Sequence, residues 1–210
     1  PYYYTKGDTI PSYTPKRNGY TFDGWYKDNA QHQNFPITLT ANTASAVTYD
    51  FYAQWKANTY TITYYIDGVY SHQETYSMSE ADNGGYSLNV PNKLGHVFSG
   101  WKINNSGAVI TEINNTGVAE ENKTYGNLSL YGTFEKATYS ITFISGGEIV
   151  KVVYVQYGDT LQSQNSWVGT NGSKLAVPAG KNGFLGFQDQ YGNQLIDQNG
   201  NWINGGTYTW

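Results

Sequence analysis

The chain contains no cysteine, so it can build neither a disulfide framework nor a thiolate metal site. Its fold must be held by packing alone. Charge is also scarce: 12 Lys and Arg stand against 16 Asp and Glu, for a net charge of −4. A nucleic-acid partner requires a basic patch or stripe, which these few scattered cations do not supply. No run approaches the ~18 apolar residues of a membrane span, so no membrane insertion is expected. The long stretches of Ala, Leu, Glu and Lys that a helix bundle needs are missing too. The opening Pro1-Tyr2-Tyr3-Tyr4 is neither a signal peptide nor a natural start, and it reads as a cut from something longer.

What remains is aromatic and flexible in turn. The 210 residues include 21 Tyr, 8 Phe, 6 Trp and 24 Gly. Tyr, Thr, Val and Ile suit a pleated, half-buried surface, while Gly and Asn make the tight turns between strands. The composition predicts a mainly β protein with little helix.

Self-comparison finds an aromatic motif three times. It reads Phe22-Asp23-Gly24-Trp25, Phe98-Ser99-Gly100-Trp101 and Phe184-Leu185-Gly186-Phe187, each six or seven residues after a proline (Pro15, Pro91, Pro178). A second element recurs in phase: Trp55 to Tyr64 parallels Phe134 to Phe143. A third, Lys6-Gly7-Asp8-Thr9, returns as Tyr157-Gly158-Asp159-Thr160, and the middle copy has the polar stretch Ser79-Glu80-Ala81-Asp82 instead. Three elements in one order predict tandem modules: 1–57, 58–136 and 137–210. The first lacks an opening strand and the third a closing strand. The exposed terminal sheet edges that result would favour head-to-tail self-association.

The segments between motifs read as strands. Tyr60 to Tyr64 and Tyr139 to Phe143 alternate large and small side chains, the period-2 pattern of a half-buried strand. Asp67-Gly68 and Ser145-Gly146-Gly147-Glu148 are hairpin turns. On a regular strand, Phe and Trp three apart face opposite sides. One ring of each motif should therefore fill a core and the other cover a second surface, with Gly allowing close approach.

Gly19-Tyr20-Thr21-Phe22-Asp23-Gly24-Trp25-Tyr26, preceded by Gly7-Asp8-Thr9 and Pro15 and followed by Phe51-Tyr52-Ala53-Gln54-Trp55, closely resembles the Listeria–Bacteroides repeat. That module also occurs as the B repeat of internalin-type surface proteins. The resemblance is strong in the first copy, good in the second and degenerate in the third. It implies a small β-grasp-like fold in each of three tandem modules and a place in a large secreted or cell-wall-attached bacterial protein. It carries over no catalytic residues.

No enzyme is expected. His32, His72 and His96 lie in unrelated contexts without metal spacing, and His96 takes the slot that holds Tyr20 in the first copy, which favours aromatic packing. No nucleophile elbow, zinc-protease motif or phosphate loop is present. Asp197-Gln198-Asn199-Gly200-Asn201 places oxygen side chains at alternate positions, but Trp202 and Tyr208 stand where a calcium loop wants Gly and Glu, so a turn explains it better. No metal and no cofactor are expected. Tyr13, Tyr20 and Tyr26 could stack on sugar rings, against the alternative of cross-strand aromatic pairing. The function expected is a spacer, stalk or adhesion segment at a bacterial surface, with an unknown protein or glycan ligand. The alternatives are a carbohydrate-binding module and the subunit of a strand-exchanging filament.

Overall fold

Two long hairpins follow directly from their turns. In the computed structural model, which describes residues 4–27, 31–38, 48–159, 180, 185–198 and 201–203, Asp67 and Gly68 both have positive φ (52° and 80°), as do Gly146 and Gly147 (61° and 90°). Two successive left-handed residues turn the chain with the twist that antiparallel strands want. Asp67 tolerates that region because its short polar side chain does so more readily than most.

The strands among the described residues run, in chain order, β1 (Thr9–Ile10), β2 (Tyr20–Lys27), β3 (Gln31–Gln33), β4 (Ile37–Thr38), β5 (Phe51–Ala57), β6 (Thr59–Ile66) and β7 (Val69–Ser77). The short helix α1 (Met78–Asp82) precedes β8 (Tyr86–Ser87), β9 (His96–Phe98), β10 (Lys102–Ile103) and β11 (Glu112–Ile113). A 3-10 turn at Glu120–Asn122 leads to β12 (Leu128–Gly132), β13 (Phe134–Lys136), β14 (Thr138–Ser145), β15 (Glu148–Gln156), β16 (Phe187–Gln188) and β17 (Gln194–Ile196). The protein is mainly β, with little helix.

The chain divides into two compact units, Pro1–Asn89 with Gly100–Gly132, and Val90–Ser99 with Thr133–Trp210. The first holds a three-stranded antiparallel sheet, β3-β2-β5, and a four-stranded mixed sheet, β10-β12-β6-β7. In the mixed sheet β12 returns parallel to β6, pairing Leu130 with Tyr64. Ile62, Tyr64, Tyr76, Met78, Trp101 and Leu130 are buried around it. The inward set of β6, Ile62 and Tyr64, obeys the alternation read from the sequence.

In the second unit β14 and β15 form the hairpin, and Phe143, Val153 and Val155 pack with Phe187 and Ile196. Both hairpins carry a bulge at the same point of the repeat, after Tyr64 in one and after Phe143 in the other. Strand ends meet almost without linker: β5 ends at Ala57 and β6 starts at Thr59, while β13 ends at Lys136 and β14 starts at Thr138.

Candidate functional site

The aromatic motif is built around a bulge. Opposite β5, Phe22 pairs with Trp55 and Gly24 with Gln54, so Asp23 is the extra residue. Gly24 sits at φ 118°, and its counterparts Gly100 and Gly186 at 92° and 113°, conformations that glycine adopts without a Cβ penalty. The bulge shifts the strand's parity by one. Phe22 and Trp25 therefore share a face, with rings edge-on at 5.5 Å, rather than facing opposite sides as regular alternation requires. Phe22 also meets Trp55 edge-on at 5.6 Å. In the third copy Phe187 is buried against Phe143, ring centroids 4.9 Å apart. Phe184 lies outside the described residues, as do Thr160, Pro178 and the Asn199-Gly200 pair.

The Trp of the motif keeps one hydrogen bond through two copies. Trp25 Nε1 donates to the carbonyl of Tyr13 at 2.7 Å, and Trp101 Nε1 donates to that of Asn89 at 2.8 Å. Their surroundings differ. Trp101 is 2% exposed, with Tyr64 edge-on at 4.8 Å. Trp25 is only half-buried and forms one wall of an open groove of about 760 Å³ lined by Tyr4, Ile10, Tyr13, Phe35 and Phe51 among others. Tyr13, 67% exposed, leans over Trp25 at 6.4 Å with its plane tilted by 31°.

Tyr20 and Tyr26 stand elsewhere. Tyr20 hydrogen-bonds Asp82 Oδ2 at 2.7 Å and lies under the Arg17 guanidinium at 3.8 Å. Tyr26 is half-buried on β2, in register with Tyr52 and with His32, whose side chain lies outside the described set. Among the described residues, Tyr64 stacks on His72 at 4.3 Å and Tyr65 on Tyr131 at 4.7 Å.

Two carboxylates are drawn into aromatic surroundings. Glu74 accepts from the hydroxyls of Tyr64 and Tyr86, both at 3.0 Å, and from Asn89 Nδ2 at 3.2 Å, with His72 Nε2 at 3.7 Å. Burial opposes its ionisation, yet these donors together outweigh burial and hold the carboxyl below its ordinary range. Asp82 receives Tyr20, Lys123 at 3.2 Å and Arg17 at 3.4 Å on Oδ2, while Oδ1 is buried without a hydrogen-bond partner. Here too burial is the largest single influence, and the donors and cations combined leave the group below its ordinary range. Burial and the bond to Asp82 push Tyr20 up to about 12. Each cluster is a polar knot that holds rings in place, through both tyrosine hydroxyls at Glu74 and through Oδ2 alone at Asp82. Among the described residues no group of three His, Asp or Glu could hold a metal. Asp197 accepts Asn201 N–H on Oδ1 at 2.8 Å and Asn201 Nδ2 on Oδ2 at 3.2 Å, which ties a turn.

The hydrogen bonds at the short junctions between copies are a feature the sequence hid. Asn58 N–H donates to Gly19 O, and Met78 N–H to Asn58 O, both at 3.0 Å. At the next junction Ala137 N–H donates to Gly95 O at 2.8 Å, and Tyr157 N–H to Ala137 O at 2.9 Å. In each case the turn glycine, at φ 78° or 69°, lies under the side chain of the last partner: Gly19 under Met78, Gly95 under the Tyr157 ring. His96 packs there, 5.8 Å from the Tyr157 ring and 6.4 Å from Phe134.

The same alignment locates the Gly-Asp element in the middle copy. Asp8 accepts Thr5 N–H at 2.6 Å, Asp159 accepts Gln156 N–H at 3.2 Å, and Glu80 accepts Ser77 N–H at 2.7 Å. The middle copy thus keeps the acid, inside helix α1 with a Ser77–Glu80 capping box, where the others use a turn with glycine at positive φ. A Ser three residues before Glu is the signal that would have found it.

The model of the Listeria-Bacteroides repeat domain matches residues 2–54 and again 60–131. Internalin H of Listeria monocytogenes is 30% identical over 122 residues, 58% of this chain and 20% of that protein. An inferred membrane protein of Evansella cellulosilytica is 27% identical over 150 residues, 70% of this chain and 21% of its own length. An inferred glycine-rich membrane protein of the same organism is 28% identical over 152 residues, 71% of this chain and 16% of that protein. The chain therefore spans about a fifth of the length of these relatives. No solved structure matches it.

Proposed function

This chain belongs to the Listeria-Bacteroides repeat domain family, and on that premise we propose that it is a non-catalytic spacer segment of a bacterial surface protein, working outside the cell. The observation that carries the reading is the repeated junction. Two successive copies join through the same pair of backbone hydrogen bonds and the same glycine tucked under a side chain, with one residue between strands. A flexible tether would separate its modules with an exposed Gly/Ser or Pro-rich linker; a spacer gains from fixing each module on the next.

We read the repeat as three β-grasp-like modules. Support comes from the mixed sheet of the middle copy, in which an opening hairpin is followed by a helix and the closing strand returns parallel beside the first strand. The adhesive alternative draws less from the molecule, because Tyr13, Tyr20 and Tyr26 serve three separate surroundings and form no common platform.

The test is to display an epitope beyond the segment on a cell wall. Deleting the repeats should bury the epitope, and replacing them with unrelated rigid repeats should restore it. On a glycan array the purified segment should bind nothing more tightly than ~1 mM, the bottom of the useful affinity range. A specific glycan bound in the micromolar range would replace the spacer reading by adhesion.

A further inference from the structure

Three tyrosines cross the mixed sheet of the middle repeat in one row. Tyr70 on β7 is in register with Tyr65 on β6, and Tyr65 with Tyr131 on β12. Their chain neighbours Tyr64 and Leu130 are fully buried, so alternation turns Tyr65 and Tyr131 to the opposite, outer face, where both are half-buried. The Tyr65 and Tyr131 rings lie face to face, with centroids 4.7 Å apart and planes 9° from parallel. Tyr70, 58% exposed, stands edge-on to Tyr65 at 6.4 Å. The tilted pairs Tyr60–Tyr76 and Tyr76–Tyr86 are wider than the stack, at 5.8 and 6.1 Å, and both depend on Tyr76, which is 1% exposed. The fold does not demand a tyrosine at this place. The residue after the bulge is Tyr65 in the middle copy and Ile144 in the third.

We propose that Tyr65 and Tyr131 are a site of oxidative cross-linking, joined as dityrosine by a haem peroxidase and hydrogen peroxide, which staples the first strand of the middle repeat to its last. The peroxidase takes one electron from each phenol, and each hydroxyl gives its proton to water. The two phenoxyl radicals that remain share their unpaired electrons with the ring carbons ortho to oxygen. Two such carbons couple to form one C–C bond. Each coupling carbon then loses its hydrogen as a proton, and each oxygen takes a proton back as the phenols are restored. In all the pair gives up two electrons and two protons, and peroxide takes them to become two molecules of water. Neighbouring strands lie about 4.8 Å apart, which keeps both rings within reach of a single bond between them. The rings must swing from face-to-face to edge-to-edge for the ortho carbons to meet. Half-buried side chains on an open sheet face have room for that move, which close packing denies to Tyr76 in the core. In a chain without cysteine, this bond does what a disulfide does elsewhere: it closes residues 65–131 into a loop and restricts the unfolded chain. It is independent of the spacer reading.

The test treats the whole chain, dilute enough to stay monomeric, with a haem peroxidase and limiting hydrogen peroxide. The monomer should lose two hydrogen atoms in mass and gain dityrosine fluorescence, and a digest should yield a peptide pair linked through Tyr65 and Tyr131. Y65F and Y131F should each abolish the link within the monomer, while Y70F should leave it in place; circular dichroism checks that all three variants fold. Amide protection along Leu128–Gly132 should rise at least tenfold in the linked protein, the low end for closing a long loop. Three outcomes overturn the proposal: cross-links that form between chains and never within the monomer; a link that maps to another pair, Tyr65–Tyr70 included; or a linked protein whose amides along Leu128–Gly132 exchange as fast as before. None of these outcomes bears on epitope display, so the two readings fail separately.

Discussion

Replacing Trp101 by Ala and, separately, Trp25 by Ala removes one side chain from the same motif position in two different states of burial. Trp101 is 2% exposed, touches Tyr64 edge-on and donates to the Asn89 carbonyl. Its loss should cost ~3–5 kcal/mol, the range for truncating a buried aromatic that leaves a cavity behind. Trp25 is half-buried beside an open groove, so truncation there mostly enlarges a space already reached by water. Half of a large side chain's transfer energy plus one net hydrogen bond gives about 2 kcal/mol. The difference of ~2 kcal/mol corresponds to roughly thirtyfold in an equilibrium constant. Because several repeats share the chain, a single melting curve would blur the comparison; native-state amide exchange reads each region by itself. Protection at Ile62, Tyr64 and Leu130 should fall at least hundredfold in W101A, the amount that ~3 kcal/mol implies. Protection on β2 and β5 should fall far less in W25A. Equal losses, or a loss at Trp101 below about 1 kcal/mol, would refute the idea that burial, not motif identity, sets the cost.

G95A should destabilise its junction more than G19A. Both glycines have positive φ, which alone costs ~1–2 kcal/mol for alanine; the new Cβ meets a rigid Tyr157 ring in one and a flexible Met78 thioether in the other. Amide exchange at Ala137 and Asn58 separates them. S77A should cost about 1 kcal/mol through loss of the α1 cap, read as faster exchange at Glu80. Acid should weaken the first unit: Asp82 and Glu74 both have depressed folded-state pKa values, so their contribution is present above the unfolded carboxylate range and is lost as pH falls through the folded values, below about pH 4. D82N should flatten that loss in acid melts. Tyr20 runs the other way, its contribution being complete below about pH 10 and lost as pH rises towards about 12.

Local chemistry was legible in the sequence where one turn or one strand decides the outcome. Asp67-Gly68 and Gly146-Gly147 turn where their residues demand it, and the alternation in β6 buries Ile62 and Tyr64. The aromatic motif misled because parity counting assumes an unbroken strand; a bulge at Asp23 moved Trp25 onto the face of Phe22, and only a glycine at positive φ hinted at it. The equivalence of Glu80 with Asp8 and Asp159 was hidden by a change from turn to helix around a shared hydrogen bond. The Asp82 cluster and the groove depend on elements far apart in sequence, which no local window joins.

The parallel pairing of β6 with β12 bears on how the middle repeat would carry tension. Its first strand and its closing strand are neighbours, bonded from Leu128–Ile62 to Gly132–Ile66, with Asp67 N–H adding a bond to Gly132 O. A pull that enters at the start of β6 and leaves at the end of β12 drags the two strands past each other lengthwise. The evenly spaced bonds of a parallel pair are then loaded side by side and must fail nearly together. A hairpin gripped by its two open ends would instead come undone bond by bond, like a zip. The strand order that pairs Tyr64 with Leu130 thus also makes the repeat a clamp along the line of pull.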